Sequence, residues 1–160
     1  MAHAWEKDLR RAAALTFEEL GFLLPELDLN EEQKQADTGS GVYVDFVGPF
    51  HGRVVVKIGS DLMPVLAANM LGQEETPSLS QQRDAQGELA NVICGNLLPM
   101  IAGSQAVFHI QAPRFFVDQN PVFTGAVTAL AKVQIGLENG RADVMLYVSG
   151  QPSGTEEIRQ

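Results

Sequence analysis

The spacing of the apolar residues changes along this chain between a helical period and a period of two, which limits the folds that it can form. From about Ala4 to Leu24 they recur every three or four positions, which predicts an amphipathic helix. Gly21 and Pro25 favour an end or a bend near that point. From Val42 to Phe46 the apolar residues alternate with others, as in a half-buried strand. The chain therefore begins with a helix that is followed by strands.

The next segments continue this mixture of elements. Residues 25–41 are polar and end in turn formers, which predicts a connecting loop. The turn GPFHG leads into a second strand, RVVVKIG. The helix DLMPVLAANML follows, with Ser60 or Asp61 as its N-cap and Gly72 as its end.

A long helix and three strand patterns complete the chain. Three residues are plausible N-caps of the helix, namely Thr76, Ser78 and Ser80. The strand patterns are AVFHIQAPRFFVD, VFTGAVTALAKVQIG and RADVMLYVSG, and Asn139-Gly140 favours a hairpin between the last two. The order α-β-β-α-α-β-β-β predicts an α+β fold, with an antiparallel sheet packed against helices. We expect one domain over residues 1–150 and a polar C-terminal tail over 151–160.

Charge and composition exclude several classes of function. The net charge of −9 opposes binding to nucleic acid, because phosphate backbones repel an acidic chain. No run of about 18 apolar residues is present, which argues against a membrane-spanning helix. Cys94 is the only cysteine, so the chain cannot form an internal disulfide. Together with a charged N-terminus, these features predict a cytoplasmic protein.

The long helix DAQGELANVICGNL carries one narrow band of polar residues and glycine, because each helical residue turns the side chain by about 100°. The band contains Asp84, Glu88, Asn91 and Gly95, whereas the opposite side contains Leu89, Ile93, Leu97 and Met100. One interpretation is a solvated face, with the glycines serving close packing. The other is a functional face. Helical glycine costs up to about 1 kcal/mol relative to alanine, and Gly87 and Gly95 would allow close approach by another molecule.

This helix resembles the sequence signature of the CheC/CheX/FliY family of bacterial chemotaxis phosphatases. Asp84, Glu88 and Asn91 match the first three positions of the motif, and Gly87 is also typical of the family. Pro113 supplies the proline of the motif, one residue closer to the helix than in the family pattern. The other central helix has Leu66 and Asn69 at the equivalent spacing and therefore lacks the glutamate. The resemblance thus favours a CheX-like member with a single site.

The resemblance implies a substrate, a partner and a role for each motif residue. The substrate is a phosphorylated CheY-like receiver domain, which brings its own Mg²⁺, so the chain needs no metal or cofactor of its own. Asn91 would hold the attacking water, Glu88 would pair with the lysine of the receiver, and Asp84 would help to dock it. The resemblance to CheX-like members also implies a homodimer that is joined through the sheet. The alternative is a non-catalytic module that binds a receiver domain or another signalling component.

Other residues with reactive side chains offer weaker candidates. His3, His51 and His109 are widely separated and show no metal-ligand spacing. Cys94 has no obvious histidine or aspartate partner nearby in sequence, so we expect it to be a small packed residue.

Overall fold

The helices and strands follow the predicted α+β class. The computed structural model describes residues 2–26, 28–39, 41–117 and 130–149. Within these ranges the helices are α1 (Ala2–Glu19), α2 (Glu31–Gln35), α3 (Met63–Leu71) and α4 (Leu79–Ala102). The strands are β1 (Gly41–Val47), β2 (His51–Ile58), β3 (His109–Ile110), β4 (Arg114–Phe116), β5 (Ala131–Leu137) and β6 (Gly140–Ser149).

All the strands form one antiparallel sheet in the order β3-β1-β2-β6-β5, and β4 also pairs with β1. The alternation in β1 places Val42, Val44 and Phe46 on the buried face. The β1–β2 register sets Val42 opposite Val56 and Val44 opposite Val54, and all four are fully buried. The period of two thus supplies one continuous apolar face, on which the helices pack.

Helices α1 and α4 pack against each other and against this face of the sheet. On α1 the buried side chains recur with the helical period: Trp5, Leu9, Ala12, Ala13, Thr16 and Phe17. The hydroxyl of Thr16 donates to the Ala12 carbonyl at 2.8 Å, so this polar group is satisfied inside the core. The amphipathic pattern of the first helix therefore forms the contact with α4.

The polar segment at 25–41 is not wholly a loop, because α2 forms within it. Asn30 and Gln33 cap each other: each side chain accepts from the backbone N–H of the other residue, at 2.8 and 2.9 Å. Gln33 is fully buried and donates to the Glu138 carbonyl at 2.9 Å. The predicted order is therefore extended by one short helix, which a tertiary contact stabilises.

Several predicted boundaries also differ from those observed. Helix α1 ends at Glu19 rather than near Leu24. The N-cap of α3 is Leu62, without a side-chain bond, and neither Ser60 nor Asp61 has that role. Of the three candidates for α4, Ser78 is the N-cap, with a capping box to Gln81.

The strand region after α4 differs from the prediction in two details. The pattern at 106–118 yields two short strands, β3 and β4, which both pair with β1. The predicted hairpin joins β5 to β6, but its two turn residues are Glu138 and Asn139, whereas Gly140 is already paired with Leu137. Part of the second strand pattern, residues 122–129, and the predicted tail at 151–160 lie outside the described residues.

Candidate functional site

Helix α4 is the central helix of the molecule and carries the polar band. It contacts α1, α3 and the strands β1–β4. Its buried residues are Ala85, Gln86, Gly87, Leu89, Ala90, Ile93, Cys94, Leu97, Leu98 and Ile101. Pro99 lies in the last turn, where its missing N–H removes the bond to the Gly95 carbonyl, and the helix ends at Ala102 with Gly103 as its C-cap. The helix is therefore held from Ala85 to Ile101, which fixes the direction of its remaining face over that range.

The polar band lies at the surface of the protein. Asp84 and Glu88 are exposed, and Asn91 is half-buried. On the opposite side Leu89 and Ile93 are fully buried, as the helical period predicts. Two carboxylates thus face outward with a half-buried carboxamide beside them, although this arrangement alone does not distinguish a solvated face from a functional one.

The Asn91 side chain has an unusual environment. Its Oδ1 atom is buried and forms no hydrogen bond with any residue in the described part of the chain. A buried polar atom without a partner costs about 1–3 kcal/mol, so such groups are rare unless they have a functional role. A carboxamide also carries both a donor and an acceptor. A rotation of the carboxamide by about 180° exchanges Oδ1 and Nδ2, and Asn91 would then offer this acceptor to a ligand or water.

The two glycines of the helix have different surroundings. A Cβ atom on Gly87 would lie 3.2 Å from both Cβ and Cγ of Pro113, so the missing side chain lets Pro113 pack on α4 one turn before Asn91. At Gly95 nothing lies within 4 Å of the same position, and this residue is exposed. The close approach to the helix at Gly87 is thus made by Pro113 of the same chain and not by another molecule. No described residue lies within 4 Å of that position at Gly95, so another molecule can approach the helix there.

An apolar groove adjoins the N-terminal half of the band. Its volume is about 340 Å³, and it is lined by Leu20, Met70, Leu71, Gln81, Asp84, Ala85 and Glu88. The structure therefore brings Asp84 and Glu88 to one depression, whereas Asn91 is not part of its lining. Both carboxylates stand beside apolar side chains from α3 and from the end of α1.

Two further polar residues of α4, Gln86 and Asn96, were not predicted from the sequence to have a role. Gln86 is buried, and its Nε2 atom donates to the Val56 carbonyl of β2 at 3.3 Å. Asn96 donates to the Thr16 hydroxyl of α1 at 3.1 Å. The helical period places Gln86 on the same side as Leu89 and Ile93, and this position indicates that Gln86 is buried. Both residues help to fix α4 against its neighbours and do not belong to the exposed band.

The second helix with a related spacing does not provide an equivalent site. Leu66 is fully buried, and the Asn69 amide donates to the Gly21 carbonyl at 2.7 Å. Asn69 therefore satisfies a backbone group just after the end of α1. Within the described residues, only α4 presents the combination of glutamate and asparagine that the motif requires.

The other candidate residues have structural positions. Cys94 is fully buried, as expected for a packed residue, and burial, with a smaller effect from the Asp45 carboxylate, raises the pKa of its thiol to about 12. His51 and His109 are exposed on β2 and β3, and the His3 side chain lies outside the described residues. The described ranges contain no group of three metal-binding side chains. They also contain no helix that is long and apolar enough to cross a membrane.

Comparisons with known proteins relate this chain to one family. The sequence model of the family described as the chemotaxis phosphatase CheX matches residues 40–128, more than half of the 160 residues. The match includes Asp84, Glu88, Asn91 and Pro113. A search among curated proteins finds no match.

Solved structures of CheX proteins have the same fold. CheX from Desulfovibrio desulfuricans is 14% identical, with a TM-score of 0.70 over 91% of this chain and 99% of that chain. CheX from Vibrio vulnificus is 15% identical, with a TM-score of 0.69 over 93% and 99%. A complex of CheX with CheY, BeF3 and Mg²⁺ from Borrelia burgdorferi is 16% identical, with a TM-score of 0.61 over 90% and 97%.

Proposed function

This chain belongs to the family of the chemotaxis phosphatase CheX, and we propose that it dephosphorylates the aspartyl phosphate of a CheY-like receiver domain. In this proposal the chain positions a water molecule in the active site of its partner. The observation that carries the proposal is the position of the exposed Glu88 and the half-buried Asn91 on one face of α4, a helix whose opposite face is buried from Ala85 to Ile101.

Asn91 is the residue proposed to position the water. Phosphoryl transfer depends mainly on alignment and on stabilisation of charge, so the phosphatase need not supply a nucleophile of its own. A carboxamide can accept a hydrogen bond from water and direct it towards phosphorus without taking a proton. The unpartnered Oδ1 atom of Asn91 supports this role, because the carboxamide can rotate to present this acceptor without breaking a hydrogen bond to it.

Glu88 and Asp84 are proposed to orient the partner. Glu88 is exposed one turn before Asn91, where its carboxylate can pair with a lysine of the receiver. Asp84 lies one turn further towards the N-terminus and would contribute to docking. The Mg²⁺ of the reaction belongs to the receiver in this proposal, and the Borrelia complex of CheX with CheY, BeF3 and Mg²⁺ supports such an arrangement.

The catalytic demand on this site is modest. Acyl phosphates hydrolyse readily, so a hundredfold acceleration would be sufficient for signalling and corresponds to about 2.7 kcal/mol of barrier lowering. One well-placed amide and one ion pair between the proteins can supply an effect of this size.

The test is the rate of phosphate release from a cognate phosphorylated receiver, with and without this protein. We expect Asn91→Ala to abolish the acceleration while the unfolding midpoint stays close to that of the wild type. We expect Glu88→Ala mainly to raise the receiver concentration that gives half of the maximal rate. Full activity of Asn91→Ala would overturn the assignment.

A protein that binds the receiver without changing its rate of phosphate loss would be the non-catalytic module instead. The same measurement therefore distinguishes the two functions, provided that binding is followed in parallel.

A further inference from the structure

The apolar groove beside Glu88 has no role in the water-positioning step. Resting on the function proposed above, we propose that this groove docks the receiver domain, and that its apolar lining selects which receiver is dephosphorylated. The occupant is an apolar side chain of the receiver, next to a lysine or arginine that meets Asp84 and Glu88. The groove would thus determine specificity, whereas Asn91 acts on the phosphoryl group.

The composition of the groove matches such an occupant. Leu20, Met70, Leu71 and Ala85 supply its apolar surface, and Leu71 is 48% exposed. Burial of exposed apolar surface is favourable in proportion to the area removed from water, so an apolar side chain from a partner would bind favourably. The carboxylates of Asp84 and Glu88 beside this surface favour a cation at its edge.

The groove and the proposed catalytic position are continuous along α4. Each helical residue advances by about 1.5 Å, so Glu88 and Asn91 are about 4.5 Å apart along the axis, and Asp84 and Asn91 about 10 Å. A receiver domain that places its phosphoryl group at Asn91 is far larger than these distances. A receiver that also pairs with Glu88, as proposed above, covers a residue that lines the groove, which makes the receiver the occupant with the most direct access.

The walls of the groove are held in place before any partner binds. The Asn69 amide bonds to the Gly21 carbonyl at 2.7 Å, which ties α3 to the end of α1. A Cβ atom on Gly21 would lie 2.5 Å from Leu66 Cδ2, so a side chain at this position would displace the end of the Leu66 side chain on α3. Leu20 and Met70, the neighbours of the two bonded residues in sequence, are thereby fixed on either side. A preformed groove loses little conformational entropy on binding.

The experiment compares two substitutions on the same helix, Leu71→Gln in the groove and Val65→Gln outside it. Val65 is 42% exposed, against 48% for Leu71, so both variants are expected to fold. Two quantities are measured for each protein. The first is its affinity for a CheY receiver of the same organism, activated with BeF3 and Mg²⁺. The second is the dependence of the dephosphorylation rate on the concentration of the phosphorylated receiver.

We expect Leu71→Gln to weaken the affinity about tenfold and to raise the half-saturating receiver concentration by the same factor, with an unchanged maximal rate. Val65→Gln should match the wild type in both measurements. The proposal is overturned if Leu71→Gln binds as tightly as the wild type, if both variants weaken binding equally, or if the wild type does not bind the activated receiver.

The two proposals fail in different ways. If the wild type binds the activated receiver and Leu71→Gln weakens that binding, but no acceleration occurs, then docking at the groove stands and the proposed catalysis fails. If the wild type accelerates phosphate loss and Leu71→Gln has the same half-saturating concentration, then catalysis stands and the groove is not the docking site.

Discussion

Cys94 lies one turn beyond Asn91 on α4 and illustrates how its surroundings, chiefly burial, change the chemistry of a residue. Its thiol pKa rises from 9.0 to about 12, first because of burial and then because of Asp45. The unfolded thiol ionises near pH 9 and the folded one near pH 12, so this residue stabilises the fold below pH 9 and loses that contribution as the pH rises. Between pH 8 and 10.5 we expect the stability difference between the wild type and Cys94→Ala to fall by about 2 kcal/mol. Urea unfolding of both proteins at the two pH values measures this difference in stability. A difference that does not change with pH would contradict the raised thiol pKa.

Helix α4 offers a comparison of two glycines within one element. Gly95→Ala adds a Cβ atom into open space, so we expect a gain of up to about 1 kcal/mol in the free energy of unfolding. Gly87→Ala places its Cβ atom 3.2 Å from two Pro113 carbons, and we expect this contact to remove most of that gain. Urea denaturation of both variants measures the difference. Equal stabilisation by the two substitutions would show that Pro113 does not press on the helix.

The two edges of the sheet differ across the whole molecule. At β5 the Gln134 carbonyl accepts from Arg10 at 3.2 Å, and Gly136 pairs with Glu26 through both backbone groups. Near β3 and β4, by contrast, the apolar side chains of Val107, Phe115 and Val117 are exposed. An edge whose backbone groups already have partners is a poor template for another strand. We therefore propose that the expected homodimer forms through the edge that contains β3 and β4.

This proposal predicts a mass of twice 17.3 kDa in sedimentation equilibrium. Val117→Asp should shift the protein towards the monomer, because it places a charge among the exposed apolar residues. Lys132→Asp, on the exposed side of β5, is the matched control and should leave the dimer intact. If Lys132→Asp dissociates the dimer and Val117→Asp does not, the interface lies at the opposite edge, which contains β5.

Local sequence predicts those structural features that depend on residues close together in the chain. The alternation of Val42, Val44 and Phe46 predicts the buried face of β1, because side chains in a strand alternate between its two sides. The helical period likewise predicts that Leu89 and Ile93 are buried and that Glu88 is exposed. These are consequences of backbone geometry, which neighbouring residues determine among themselves.

The sequence by itself determined the α+β class, the long helix and the outward position of the Glu88–Asn91 pair, because each depends on the periodicity of residues close together in the chain. Only the tertiary structure decided that Gln33 supports a helix by bonding to a carbonyl 105 residues away. The same is true of Pro113 packing on Gly87, of Asn69 bonding to Gly21, and of the groove that joins three helices. These features depend on segments that are distant in sequence, and no local pattern records which distant residues will meet.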